Sequence, residues 1–279
     1  MTYAMPGRAG LDYAPYRYGS SKLLFRGPRR PPPDDYVACL GGTETFGKFV
    51  LRPFPDLLEE PLGKTCLNFG VVNAGVDAFA NDAAVLEAAA GARLAVVQVM
   101  GAQSLSNRFY SVHPRRNDRF VRVSDLMRSI FPEVDFTEFH FTGHMLSTVA
   151  ARCPKRFATL REEMRTAWLA RMRTLIERIG APVVLLWFAE HSPDTFPIRT
   201  VEVRAPEPLF VTRAMVEALR PAVATVVEVA ASEAARADGT EGMVFRDVEA
   251  PAARGLPGPR AHAEAAEALA PVLRGLLDR

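Results

Sequence analysis

"YVACLGGTETFGKFV", Tyr36 to Val50, decides the fold: a short apolar run passes directly into a polar loop framed by glycines. A run this continuously apolar suits a strand buried on both faces, and such strands belong to parallel sheets. The rhythm recurs downstream. "CLNFGVV", "LAVVQVMG", "PVVLLWFAE" and "ATVVEVAAS" read as further strands. Helical patterns lie between and after them, in "FPDLLEEPLG", "NDAAVLEAAAGA", "RFATLREEMRTAWLARMRTLIERIG", a segment near "VTRAMVEALRPA", and "HAEAAEALAPVLRGLLD". This alternation predicts a three-layer α/β domain, flavodoxin-like, with a central parallel sheet covered by helices on both faces.

Residues 1–35 are rich in Pro, Gly, Tyr and Arg and end in "RGPRRPPPDD". Successive prolines favour extended polyproline geometry, so an irregular N-terminal arm, with "LLFRG" as a brief strand, should precede one domain over 36–279. Arg26, Arg29 and Arg30 read as a solvated basic arm, with contact to an anion as the alternative. In the long helical segment Leu160, Met164, Trp168, Met172, Leu175 and Ile179 recur at helical intervals and form a core face. Extension of Met164, Trp168 and Met172 to a homodimer surface is the second reading.

Composition narrows the function classes. A chain of 279 residues, 48% hydrophobic and 24% charged, can bury a substantial core. Its net charge of +2 is the remainder of 34 basic and 32 acidic residues, so the electrostatic footprint of a dedicated nucleic-acid binder is missing. No apolar stretch approaches the roughly 20 residues of a membrane helix. The N-terminus lacks the basic-then-apolar pattern of a secretory signal. Cys39, Cys66 and Cys153 form no CxxC pair and sit in or beside apolar runs, which suits reduced thiols in a cytoplasmic protein. His140 and His144 stand four apart among alternating aromatics, with no third ligand in view. Neither a metal nor a cofactor is expected.

In parallel sheets ligands bind at the carboxyl ends of the strands, so the loops leaving them are the ones to inspect. The loop after "LAVVQVMG" holds Gln103, Asn107, Arg108, His113, Arg115, Arg116, Asn117 and Asp118 in a short span. Paired guanidiniums in "HPRRNDRF" could grip a carboxylate, phosphate or sulfate, and a salt-bridged loop is the alternative. The loop after the first strand fits GxxxxGK from Gly42 to Lys48, where backbone amides would cradle a phosphate. Phe49, however, stands where a hydroxyl normally holds magnesium, and Pro53 and Pro55 interrupt the helix that should follow.

The order of the parts, "LGGTETFG", then "LNFGVVNAG", then "VVQVMGAQSLSN", and finally "LPGPRAHAEAAEALAPVL", resembles the SGNH, or GDSL, hydrolase family. The resemblance implies a nucleophile at Thr43 after Gly42, beside Glu44, and oxyanion donors at Asn73 with Gly75, and at Gln103 after Gly101. It places Leu256 and Ala253 where the catalytic histidine and its aspartate belong, so the usual Ser-His-Asp triad is degenerate. A substitute base would have to come from His113, His191 or His262. The runs "YGSSKLLFRGP", "LGGTETFGKF" and "GAQSLSNRFYSVHPRRNDRF" also resemble a bacterial domain-of-unknown-function family of Rhodobacter type, which implies one coherent domain without fixing a substrate.

Two functions follow as expectations. The first is a noncatalytic protein that binds a small polar or anionic ligand at the strand ends through Gly42, Glu44, Asn73, Gly75, Gly101, Gln103, Asn107, Arg108, His113, Arg115 and Arg116. The second is an atypical esterase or acyl hydrolase in which Thr43 attacks, with His262 as base. A degenerate phosphate loop is the remaining option.

Overall fold

The computed structural model describes residues 10–194 and 207–279. Residues 1–9 of the arm, and Thr195 and Phe196 of the loop after "PVVLLWFAE", lie outside them. The expected strands form as β1 (Tyr36–Gly41), β2 (Thr65–Gly70) and β3 (Leu94–Gln98). A hairpin of β4 (Tyr110–His113) and β5 (Arg116–Val123) follows, then β6 (Val183–Ala189) and β7 (Thr225–Ala230). The main sheet is parallel throughout, in the order β2-β1-β3-β6-β7. Counting only its members this is the flavodoxin-like order, whose switch point lies between β1 and β3.

Helices α1 (Thr43–Phe46) and α2 (Phe54–Leu62) connect β1 to β2, and α3 (Val76–Ala80) and α4 (Ala83–Ala90) connect β2 to β3. Between the hairpin and β6 lie α5 (Asp125–Ile130), α6 (Thr142–Arg152) and α7 (Pro154–Ile179). Helix α8 (Arg213–Glu217) precedes β7, and α9 (Glu233–Asp238), α10 (Ala250–Ala253) and α11 (Pro259–Leu277) follow it. Local chemistry sets the ends. Asp82 caps α4 by accepting from the Val85 amide at 3.1 Å, and α2 and α7 stop at Gly63 and Gly180, both in the left-handed region.

The period-two alternation of strands sorts side chains into two cores. Val37, Cys39, Val96, Val184 and Leu186 face α2 and α11, while Ala38, Leu40, Val97, Leu185 and Trp187 face α3, α4 and α7. Each buried Leu or Phe contributes about 1.5–3 kcal/mol relative to exposure. Strand β7, at the edge, alternates buried and exposed residues instead. All six expected core positions of α7 are fully buried, so a dimer surface through Met164, Trp168 and Met172 is corrected. Cys39, Cys66 and Cys153 are free, buried thiols. Among the described residues no helix is long and apolar enough to cross a membrane.

Two other expectations need correction. The arm is not a solvated tail: Tyr16 and Phe25 pair as an antiparallel bridge, and Tyr18, Leu23 and Phe25 are buried beside Phe69 of β2. Its Arg26 donates to the carbonyls of Gly47 at 2.8 Å and Leu51 at 2.7 Å, while Arg30 pairs with Glu59 at 2.6 Å. The long loop after β3 is also not a loop, because "YSVHPRRNDRFVRV" folds into the β4–β5 hairpin.

His262, expected as a catalytic base, lies in the α2–α11 core at 1% exposure. Its ring stacks on Phe54 and meets Phe188 edge-on, and its Nδ1 accepts the Phe54 amide at 3.1 Å. That packing leaves it neither access nor a free Nδ1, so the base assignment is corrected. Burial, then the nearby charge of Arg26, holds its pKa down to about 3. The unfolded chain therefore takes up a proton below about pH 6.5 that the folded chain refuses. Its contribution to stability is complete above that pH and declines as pH falls toward 3. In urea titrations from pH 7.5 to 4, the wild type should lose on the order of 3 kcal/mol more than His262→Gln by pH 4. Parallel curves would refute this.

Candidate functional site

The site forms where β1, β2 and β3 end. Strand β3 is apolar except for its last residue, Gln98, which is 2% exposed and reaches across to the loop leaving β1. Its Oε1 accepts from the Gly42 amide at 3.0 Å, the Thr45 amide at 3.2 Å and the Thr45 hydroxyl at 2.6 Å. From β2, Asn68 donates to the Thr45 carbonyl at 2.9 Å and accepts the Gly70 amide at 2.8 Å. Glycine is required at this crossing, because a Cβ on Gly41 would overlap Thr45 Oγ1 and Gln98 Oε1. Helix α1 lasts four residues and ends at Gly47, with φ of 70°.

These bonds correct the phosphate-loop reading. The Gly42 and Thr45 amides are given to Gln98, and those of Phe46, Gly47 and Lys48 to the carbonyls of Gly42 and Thr43. Lys48 lies over the Phe49 ring, its Nζ 4.8 Å from the centroid.

Thr43 stands half-buried at the start of α1. Its hydroxyl accepts the Asn73 amide at 3.0 Å, and among the described residues no imidazole hydrogen-bonds to it. His113 accepts the amides of Arg115 and Arg116 with Nδ1, each at 3.3 Å, in the hairpin turn. His191 meets the Trp187 ring edge-on, and its Nδ1 lies 3.0 Å from the Ser192 carbonyl. Where the hydrolase resemblance places the base and its orienter, Ala253 is fully buried and Leu256 packs beside it, with Phe49, Met243 and Phe245, in a small apolar cluster.

The expected oxyanion donors are engaged too, and by carboxylates. Asn73, left-handed at φ 59°, donates Nδ2 to Asp118 at 3.2 Å. Gln103, 7% exposed, donates Nε2 to Glu207. Gln98 donates Nε2 to Glu44 at 2.9 Å. The Gly75 amide is taken by Asn117 Oδ1 at 2.7 Å. Burial pushes the Glu44 carboxyl up against the pull of Gln98. Burial likewise raises Asp118, opposed first by Arg116. Glu207 is solvent-exposed as a residue, yet its carboxyl end lies against Gly101 and Gln103. Lost hydration there, then the negative charge of Glu44, push it up to about 7.

Gly42, Thr43, Glu44, Asn73, Gly75, Gly101 and Gln103 therefore gather at the strand ends. Asn107 and Arg108 do not serve the site. Asn107 accepts the Phe109 and Tyr110 amides at 2.9 and 3.2 Å in its own turn, and Arg108 binds Glu163 of α7 at 2.8 Å. His113, Arg115 and Arg116 occupy the hairpin turn. Sequence reasoning passed over Gln98, Asn68 and Glu207, and named Asp118 only as a member of the loop after β3. A lone polar residue inside an apolar strand is the signal that marks Gln98 and Asn68, since a buried amide must be satisfied.

The chain belongs to the family described as "Domain of unknown function (DUF6473)", whose model matches residues 1–277. This bears out the expected membership of a domain-of-unknown-function family and does not bear on its Rhodobacter type. No curated protein matches the chain. Among solved structures it is similar to the crystal structure of the lipase Lip_vut3 from a goat rumen metagenome. The identity is 14% and the TM-score 0.40, over 87% of this chain and 99% of that one.

Replacing Gln98 by Leu strands two amides, a hydroxyl and the Glu44 carboxylate at once. At about 1–3 kcal/mol per unsatisfied group, partly relieved by water, the variant should lose roughly 3–5 kcal/mol in urea denaturation. A loss below about 1 kcal/mol would show that Gln98 does not hold the loop.

Proposed function

We propose that this chain is a ligand-binding protein on a hydrolase-like α/β scaffold, taking a small polar molecule at the ends of β1, β2 and β3. One pattern carries the reading. Three amide side chains at the strand ends, Asn73, Gln98 and Gln103, already give an N–H to a carboxylate. An acyl-transfer site needs such donors aimed at a developing oxyanion. Here the same places are lined with acceptors, and a negative charge arriving there would meet Asp118, Glu44 and Glu207. Thr43 also lacks an imidazole to take its proton. Of the two expected ligand classes, polar and anionic, the polar one fits these groups. A reduced intracellular setting suits the three buried free thiols, Cys39, Cys66 and Cys153.

The test joins an ester panel to thermal shift against a library of sugars, polyols, amines and carboxylic acids. Hydrolysis should stay at the blank rate for the wild type and for Thr43→Ala. A ligand of the site at a hundredfold excess over its Kd adds about 2.7 kcal/mol, which raises the Tm by roughly 5–10 °C. Gly101→Val, whose side chain would displace Gln103 and Glu207, should abolish that shift. Turnover that disappears in Thr43→Ala would overturn the proposal in favour of an esterase.

A further inference from the structure

The strand-end groups differ in what they lack. Two buried side-chain oxygens there have no hydrogen bond among the described residues, Gln103 Oε1 and Asp118 Oδ1, and both are acceptors. Gln103 is more than nine-tenths buried, held by Glu207 through Nε2 and by Tyr110, whose hydroxyl donates to the main-chain carbonyl of Gln103 at 2.7 Å. Its Oε1 and the Glu207 Oε2 converge on Gly101, where a Cβ would strike both. Leaving a buried acceptor empty is unfavourable, so its donor has to come from elsewhere.

Charge points the same way. Glu44 receives the Gln98 amide, and Glu207 receives Gln103 and the Leu209 amide at 3.0 Å. Among the described residues no Lys, Arg or His side chain bonds to either carboxylate. Cations on the surrounding elements are committed elsewhere: Arg26 to loop carbonyls, Arg108 to Glu163, Arg171 to Asp77 at 2.6 Å, and Lys48 to the Phe49 ring. Arg116, Arg119 and His113 act on Asp118 from the hairpin and do not act on Glu44 or Glu207. Two carboxylates that repel one another have no positive partner among the described residues, and the empty acceptor beside them has no N–H donor there.

Resting on the ligand-binding reading above, we infer that the site takes a small molecule through a primary ammonium group, received by Glu207, Glu44 and Gln103 Oε1. An ammonium brings three donors and one positive charge, and so matches both deficits. A hydroxyl brings donors without the charge, and a carboxylate brings neither.

The test compares matched four-carbon probes on the full chain by calorimetry at pH 8: putrescine, 1,4-butanediol and succinate, with magnesium chloride as the inorganic cation. Putrescine should bind at least tenfold tighter than butanediol, and succinate should not bind. Glu207→Gln and Gln103→Met should each weaken putrescine by tenfold or more while the far-UV spectrum and cooperative melting are retained. Glu44→Gln, which keeps the side-chain shape, provides the same reading if either of those variants fails to fold. Equal or tighter binding of butanediol or succinate would overturn the ammonium inference and leave the ligand-binding reading standing. Tighter binding of magnesium would overturn it in favour of a metal. If no amine, polyol or acid binds, both readings fall.

Discussion

The acceptor oxygen of Gln98 is the constraint on which the functional end of the molecule depends. It draws two amides and a hydroxyl from the turn after β1, and its own amide reaches Glu44, so one side chain joins β3 to the start of α1. Because β1 and β3 are neighbours at the switch point, this tie fixes the loop where an open parallel sheet receives ligands. Asn68 repeats the device from β2. The turn is thus held from both flanking strands, and its amides are spent on the protein itself.

What distinguishes this site is the destination of its remaining donors. In a pocket built to stabilise negative charge, amide groups point at empty space that a reacting oxygen will enter. Here Asp118, Glu44 and Glu207 occupy that role permanently. The three carboxyls resist ionisation first because burial strips their hydration. The strand ends of this parallel sheet therefore carry electrostatics of the sense opposite to an oxyanion site.

The architecture was readable because hydrophobic periodicity is a local signal: all five sheet strands, the long core helix and the terminal helix form where their patterns lie. The hairpin escaped because "YSVHPRRNDRFVRV" is too polar to look like a strand pair. It is stabilised from outside, with Asn117 tying it to α3 through the Gly75 and Ala78 amides. The strand-end residues were partly legible, since glycines and amides mark such loops. Their partners were not. Glu207 meets Gln103 across more than a hundred positions, and no spacing rule connects them. His262 misled for a related reason: histidine next to a glycine-proline loop resembles a catalytic element, and only the packing of Phe54 and Phe188 shows it as a core residue.

The apolar cluster of Phe49, Met243 and Ala253, with Phe245 and Leu256 against it, also bears on how such a chain can change over time. An imidazole introduced at Leu256 would enter hydrocarbon, with no carboxylate at Ala253 to orient it and desolvation favouring its neutral form. Installing a working histidine there would require several neighbouring substitutions together, each unfavourable alone. The packing thus works as a ratchet: this corner of the molecule can exchange one hydrocarbon side chain for another far more easily than it can admit an ionisable group.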